Sequence, residues 1–377
     1  MEERNSKYSS PELTTLCYIE QDDKYLMLHR VSKEKDINKD KWIGVGGHLE
    51  KDESPEECLL REVKEETGLT LTSFRYRATI TFISGDGCTE YMALYTADGF
   101  TGEIRQDCNE GTLEWVPKSE INSLNLWEGD RIFFLLLEDR QDFFSLKLTY
   151  DGHGTLASAA LDGKPMELLD IINEDGSKTG IVRERTVAHR FGSMHATVHM
   201  WIMRKNVEDD QNRTESVKNA CGNSTDAGGE VSGQKGSYDS WDVLLQKRSA
   251  NKDSNPGCYD ISSAGHISAG KEPLPSAVRE LGEELGIKAV PEDFLYVGSR
   301  IKKSNKEFYG KPFIDNQLSY VYIYKGEVEA DKLKLQESEV EAVVWMPLDE
   351  VLTMLEDPAF PNCIYAEELL MLKKALA

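Results

Sequence analysis

Two hydrophobic rhythms alternate along the chain. Thr14 to Cys17, Lys24 to His29 and Arg77 to Ile83 set β-branched and aromatic residues between turn-forming clusters, the pattern of short strands. Pro55 to Thr67 changes to helical spacing, with Cys58, Leu59 and Val63 as an apolar stripe and Gly68 as a stop signal. A second helix is predicted over Glu128 to Leu137, and the Gly-, Ala- and Ser-rich stretch from Gly152 to Pro165 reads as a joint, with 156–165 as the linker proper. A new pattern begins near Met166: a segment from Glu167 to Ile172, a turn at Asn173-Glu174-Asp175-Gly176, and strands at Thr197 to Met203 and Val243 to Gln246. Between those strands, 206–240 is too rich in Gly, Ser, Asn and acidic residues to offset the entropy of ordering, and is predicted to be a disordered insertion at a hairpin tip. A helix over Ser276 to Leu285, strands over Gln317 to Tyr324 and Glu341 to Met346, and a closing helix complete the pattern.

Each half places a Gly-rich loop before a helix bearing Arg-Glu-x-x-Glu-Glu, and a Trp-containing strand after it. This is an internal duplication. A length of 377 residues suits two domains, set at 1–155 and 166–377.

Composition narrows the function classes. No apolar run is long enough to span a bilayer, and Met1 to Pro11 lacks the apolar stretch of a signal peptide, so a cytoplasmic protein is expected. Seven cysteines, an odd number without a Cys-x-x-Cys pair, read as reduced thiols. A formal charge of −23 argues against nucleic-acid polymers and anionic membrane surfaces as partners. A phosphorylated small molecule would therefore need a metal to bind.

Gly47 to Leu69 supplies the residues for one. Glu62, Glu65 and Glu66 at i, i+3 and i+4 put three carboxylates on one helical face. Their repulsion becomes attraction once a divalent cation sits among them, and such an ion can polarise phosphorus and acidify a bound water while one carboxylate acts as general base. The competing reading is a solvated acidic helix face. Arg61 and Glu53 are candidates for an ion pair that fixes the preceding loop, where Gly44, Gly46 and Gly47 let the backbone turn tightly.

The full spacing, Gly47, Glu53, Arg61, Glu62, Val63, Glu65, Glu66, Gly68 and Leu69, resembles the Nudix box at all nine of its fixed positions. The resemblance implies an α/β fold, an α/β/α sandwich with a mixed sheet, and magnesium-dependent hydrolysis of nucleoside diphosphate derivatives, with manganese able to substitute. Trp42, Gly44, Gly46 and Gly47 match the loop of the MutT-like branch, which clears oxidised purine nucleoside triphosphates. That likeness implies a metal site of Gly46, Glu62, Glu65, Glu66 and Glu110. It implies substrate contacts by Trp127 and Asp130, with Arg30 as a candidate phosphate contact or a plain surface cation. Ile43 and His48 depart from the branch, which puts 8-oxoguanine specificity in doubt more than triphosphate hydrolysis. The resemblance also suggests a homodimer.

The second helix repeats Gly265, Arg279, Glu280, Glu283, Glu284, Gly286 and Ile287, with Lys271 where the early Glu should stand and Glu272 as a neighbour able to compensate. Glu280, Glu283 and Glu284 are its implied catalytic and metal residues, with Glu339 in the place of Glu110. Leu244 to Arg248, Pro256-Gly257 and Ser263 to His266 resemble the branch containing isopentenyl diphosphate isomerase, whose metal-binding histidines His189, His195 and His266 could represent. That family's catalytic Cys is Ala264 here, Gln317 stands where a second acidic ligand is expected beside Asp315, and a methyl group moves no proton. Isomerase chemistry is thus disfavoured against hydrolysis of a nucleoside or prenyl-type diphosphate, or against a second domain that only binds a ligand.

Overall fold

The computed structural model describes residues 10–32, 36–105, 108–206, 241–252, 254–308 and 310–376. Apart from its first residue, the insertion predicted at 206–240 lies outside them. The chain forms two compact units, 1–195 with 312–315, and 196–311 with 316–377. Among the described residues no helix is long and apolar enough to cross a membrane, and six of the cysteines are unbridged.

In the first unit one mixed sheet holds β1 (Glu12–Gln21), β2 (Lys24–His29), β3 (Trp42–Ile43), β4 (Thr70–Ile83), β5 (Thr89–Thr101), β6 (Thr112–Pro117), β7 (Phe144–Tyr150), β8 (Leu156–Leu161) and β9 (Lys164–Pro165). Their order is β3-β2-β1-β5-β4-β7-β8-β9, with β6 also paired to β2. β1 runs parallel to β5 and β4 parallel to β7, while the other pairs are antiparallel. Side chains alternate across the pleat. Cys17 and Ile19 therefore pack with Leu59 and Val63 of α1 (Pro55–Thr67), whereas Tyr18 meets Phe133 and Phe134 of α2 (Glu128–Asp139) on the other face.

The joint predicted at 156–165 is instead the β8–β9 hairpin on the edge of this sheet, and the boundary moves to 195. Backbone pairing is the reason: β8 bonds along β7, and the Met166 N–H donates to the Ala159 carbonyl at 2.9 Å. Small residues signal mobility only where they lack a strand to pair with. The next hairpin, β10 (Leu168–Ile172) with β11 (Lys178–Glu184), and α3 (Arg185–Arg190) stay in the same unit, where Arg183 donates to Glu128 of α2 at 2.9 Å.

The second unit repeats the plan. Its strands are β12 (His195–Lys205), β13 (Trp241–Arg248), β14 (Tyr259–Asp260), β15 (Ser263–His266), β16 (Phe294–Phe308), β17 (Lys311–Tyr324) and β18 (Val340–Pro347), ordered β14-β13-β12-β17-β16 with β15 on β12 and β18 on β13. Val198, Met200 and Ile202 face α4 (Pro273–Leu285), where Ala277, Leu281 and Leu285 are buried. Trp201 and Met203 face α5 (Leu348–Met354) and α6 (Ala366–Leu376) through Val351, Leu369 and Leu372. Each unit thus has helices on both faces of a sheet, the predicted α/β class.

Candidate active site

Local chemistry fixes the first carboxylate helix. The Ser54 hydroxyl accepts from the Glu57 N–H and the Glu57 carboxylate accepts from the Ser54 N–H, a reciprocal cap ahead of Pro55; Gly68, at φ 79°, ends the helix in the left-handed region. Burying Leu59 and Val63 completely sets the helix's rotation. The three glutamates then separate: Glu66 is buried, Glu62 is mostly covered, and Glu65 is 63% exposed.

The glycine loop is laid on β1 by bonds in both directions between Cys17 and Val45, and by the Thr15 N–H to the Gly47 carbonyl. The Gly46 N–H donates to Glu66 at 3.0 Å. At Gly47 a Cβ would lie 2.4 Å from a Glu62 carboxylate oxygen, so any side chain there would push the Glu62 carboxylate aside.

Arg61 joins them. It donates to both oxygens of Glu53 at 2.8 Å, to Glu62 at 2.7 Å and to the His48 carbonyl at 3.0 Å, and its bond to Glu53 holds that carboxyl down at about 2. Glu66 goes the other way. Burial pushes its carboxyl up to about 7 against the Gly46 N–H, with the Glu62 and Glu110 charges adding to the rise. A hard-oxygen set that repels itself in a partly dry site fits a divalent cation, which removes the repulsion. Arg30 pairs with Asp36 at 2.7 Å and with Glu110.

Glu62, Glu66, Glu110 and Arg30 line a cavity of about 680 Å³ that Trp127 and Asp130 also line, within the range of small-molecule sites. Glu65 is not among its lining residues. A larger cavity of about 820 Å³ in this unit holds none of the box carboxylates, so its size does not decide the site. The Trp127 indole N–H donates to the Asn38 side-chain oxygen at 2.8 Å, and the Lys41 ammonium lies 4.5 Å from the centre of a Trp127 ring. Burial pushes Asp130 up to about 7, opposed by the Lys41 charge. Asn38 and Lys41 had no sequence signal, since a turn at 37–40 carries no periodicity to place it against a residue some ninety positions away.

In the second unit Glu284 takes the place of Glu66: the Ala264 N–H donates to it at 3.3 Å, and burial, with the Glu280 and Asp260 charges, pushes it up to about 8. A Cβ on Gly265 would come within 2.1 Å of the Glu280 carboxyl, as at Gly47. The arginine differs. Arg279 donates to Glu280 at 2.6 Å and to Glu283 at 2.7 Å, and none of its described bonds reaches Lys271 or Glu272. Glu339 pairs with Lys252, while Asp260, which pairs with Arg248 at 3.0 Å, acts electrostatically on Glu284. His189 and His195 are buried with Asp315 at 3.8 and 3.9 Å in the first unit.

Residues 11–137 and 231–366 each match the family model described as the NUDIX domain. The chain belongs to the Nudix family. It is similar to Nudix hydrolase 3 of Arabidopsis thaliana, 36% identical over 203 residues, a match that takes in 52% of this chain and 21% of that protein. The chain thus spans about a fifth of that relative's length. It is also similar to the oxidized purine nucleoside triphosphate hydrolase of Danio rerio, 28% identical over 40% of this chain and 94% of that protein. Among solved structures, a MutT protein of Bacillus halodurans aligns at 26% identity and a TM-score of 0.37, covering 41% of this chain and 99% of its own.

The two Nudix units share a feature that sequence reading missed. The Asp130 N–H donates to the Trp127 carbonyl at 3.0 Å in the first turn of α2, and the Glu368 N–H to the Tyr365 carbonyl at 3.1 Å in the first turn of α6. An aromatic residue followed three places later by a buried acid is the signal that could have found it. The environments differ, however. Glu368 is fully buried; that pushes its carboxyl up, but bonds from His199, Arg300 and Trp201 outweigh burial and hold it at about 2.

Proposed function

We propose that the chain is a divalent-cation-dependent pyrophosphohydrolase. Its first Nudix unit, of the MutT-like branch, cleaves an internal phosphoanhydride of purine nucleoside triphosphates, oxidised ones included, to nucleoside monophosphate and pyrophosphate. The observation that carries this reading is the single cavity lined by Glu62, Glu66 and Glu110 together with Trp127 and Asp130. The name of the Danio rerio relative supports it.

Gly46, Glu62, Glu65, Glu66 and Glu110 would hold magnesium or manganese, which supplies Lewis acidity toward phosphoryl oxygens and a nucleophilic water of lowered pKa. One box glutamate would serve as general base, accepting a proton from the attacking water. Arg61, anchored by Glu53, fixes the loop, and Arg30 meets phosphate charge by exchanging a carboxylate partner for it. The Trp127 face stacks on the base, and an Asp130 carboxyl that titrates near neutrality either donates to or accepts from the base edge. Ile43 replaces a polar contact and lines the same cavity, so the reading favours triphosphate hydrolysis over strict 8-oxoguanine selection.

The second unit retains Glu280, Glu283 and Glu284 and is read as hydrolysing another nucleoside or prenyl-type diphosphate. One observation favours the alternative of a ligand-binding or regulatory module: Arg279 pairs with Glu280 and Glu283 and with no further carboxylate among the described residues, where Arg61 also has Glu53. Pyrophosphate and phosphate release from a nucleotide panel, with Glu65→Gln and Glu283→Gln made separately, tests both. Abolition by the first change alone favours the binding module, and no turnover of any phosphoanhydride with excess magnesium removes the hydrolase reading. Gly47→Ala is expected to cost about a hundredfold in turnover, because it displaces Glu62 on the scale of an ångström, without lowering the melting temperature comparably.

A further inference from the structure

The two boxes differ in how their arginine is neutralised. Arg61 spends Nε and Nη2 on Glu53, keeping Nη1 for Glu62 at 2.7 Å and, more distantly, Glu65 at 3.5 Å, and its side chain is 23% exposed. Arg279 has Lys271 where that glutamate stands; both its terminal nitrogens go to Glu280 and Glu283, and its side chain is 41% exposed. Its remaining described bond is to the His266 carbonyl, at 3.4 Å. Glu272, which could have substituted, takes none of these bonds.

We propose that the second box binds divalent cations more weakly than the first and loads after it, because Arg279, lacking an acidic partner at position 271, is neutralised by the carboxylates the cation needs. This rests on the reading that both boxes hold a cation. In the first box Glu62 can turn from Arg61 to the ion while both bonds to Glu53 persist, so the guanidinium never loses its counter-charge. In the second, giving Glu280 and Glu283 to the ion leaves Arg279 without a carboxylate, beside a dication. Breaking the exposed Arg279–Glu283 pair itself costs little. Charge repulsion between an uncompensated guanidinium and a dication a few ångströms away is the larger effect, roughly ten- to a hundredfold in affinity even with water screening. Lys271 is therefore a positioning residue, acting through Arg279 on the cation site.

Manganese is the probe, and the full chain is titrated while the electron paramagnetic resonance signal of free Mn²⁺ is followed. Two classes of site are expected, the tighter weakened by Glu65→Gln and the looser by Glu283→Gln. Lys271→Glu should tighten the looser class by about tenfold or more and leave the tighter one unmoved. Lys271→Gln, which removes charge without supplying a partner, should give a smaller gain. Position 271 is exposed, so both variants are expected to fold, and a purely structural role would not move Mn²⁺ affinity. Two equal sites in the natural protein, or a looser class that Lys271→Glu leaves unchanged, would overturn the inference. No Mn²⁺ bound in either box would overturn the cation reading beneath it.

Discussion

Glu66→Gln is expected to lower pyrophosphate release from nucleoside triphosphates by roughly a hundred- to a thousandfold, the scale for removing one aligned electrostatic contact from a site shielded from water. Glu66 is the box carboxylate that α1 carries into the interior, and the Gly46 N–H fixes its orientation. An amide of the same shape can still accept that N–H, so the loop and the fold should persist while the negative charge is lost. Glu65→Gln is expected to lower release as well, as the loss of a proposed metal ligand, although Glu65 is largely exposed and lies outside the cavity lining. If release by the Glu66 variant stays within about threefold of the natural protein, a difference worth less than 1 kcal/mol, Glu66 has no place in the chemistry.

Unfolding in the presence of a chelator is expected to become easier as pH rises from about 5 to 8. Glu66 at about 7 and Glu284 at about 8 lie above their unfolded values near 4.5, as does Asp130, at about 7 against 3.8. Between the two values the folded chain holds a proton that the unfolded chain has lost. The associated stability is fully present below the unfolded value and disappears as pH passes the folded one, with a slope of about 1.4 kcal/mol per pH unit for each such group. Glu53 and Glu368, held near 2, have the opposite sign but act only below about pH 4.5, outside this window. Excess magnesium should flatten or reverse the slope, because the ion favours the deprotonated carboxylates. Melting temperatures across that range, with and without chelator, and for Glu66→Gln with Glu284→Gln, check this; a chelated protein whose stability rises toward pH 8 would contradict it.

Much of the architecture was readable because period and punctuation agreed. The first box helix was predicted over Pro55 to Thr67 and spans those residues, since the stripe of Cys58, Leu59 and Val63 and the stop at Gly68 mark one helix. β16 escaped because charged and polar residues fill most of its length, and β5 because Tyr91 to Tyr95 is a continuous apolar run without alternation. The box spacing pointed to the carboxylates, yet it could not say that Glu66 is buried while Glu65 is exposed; that depends on which face of α1 the sheet claims. Nor could it reveal Asn38 on Trp127, or Arg279 turned toward Glu280 and Glu283, because side-chain partners across loops leave no periodic trace.

The edge hairpin at 156–165 bears on any attempt to obtain the halves separately. Severing the chain after residue 155 strips β7 of its hydrogen-bonded neighbour, opening a row of bare amides and carbonyls that invites aggregation, and it takes Arg183 away from Glu128. A fragment carried through to residue 195 keeps that edge covered and that ion pair made.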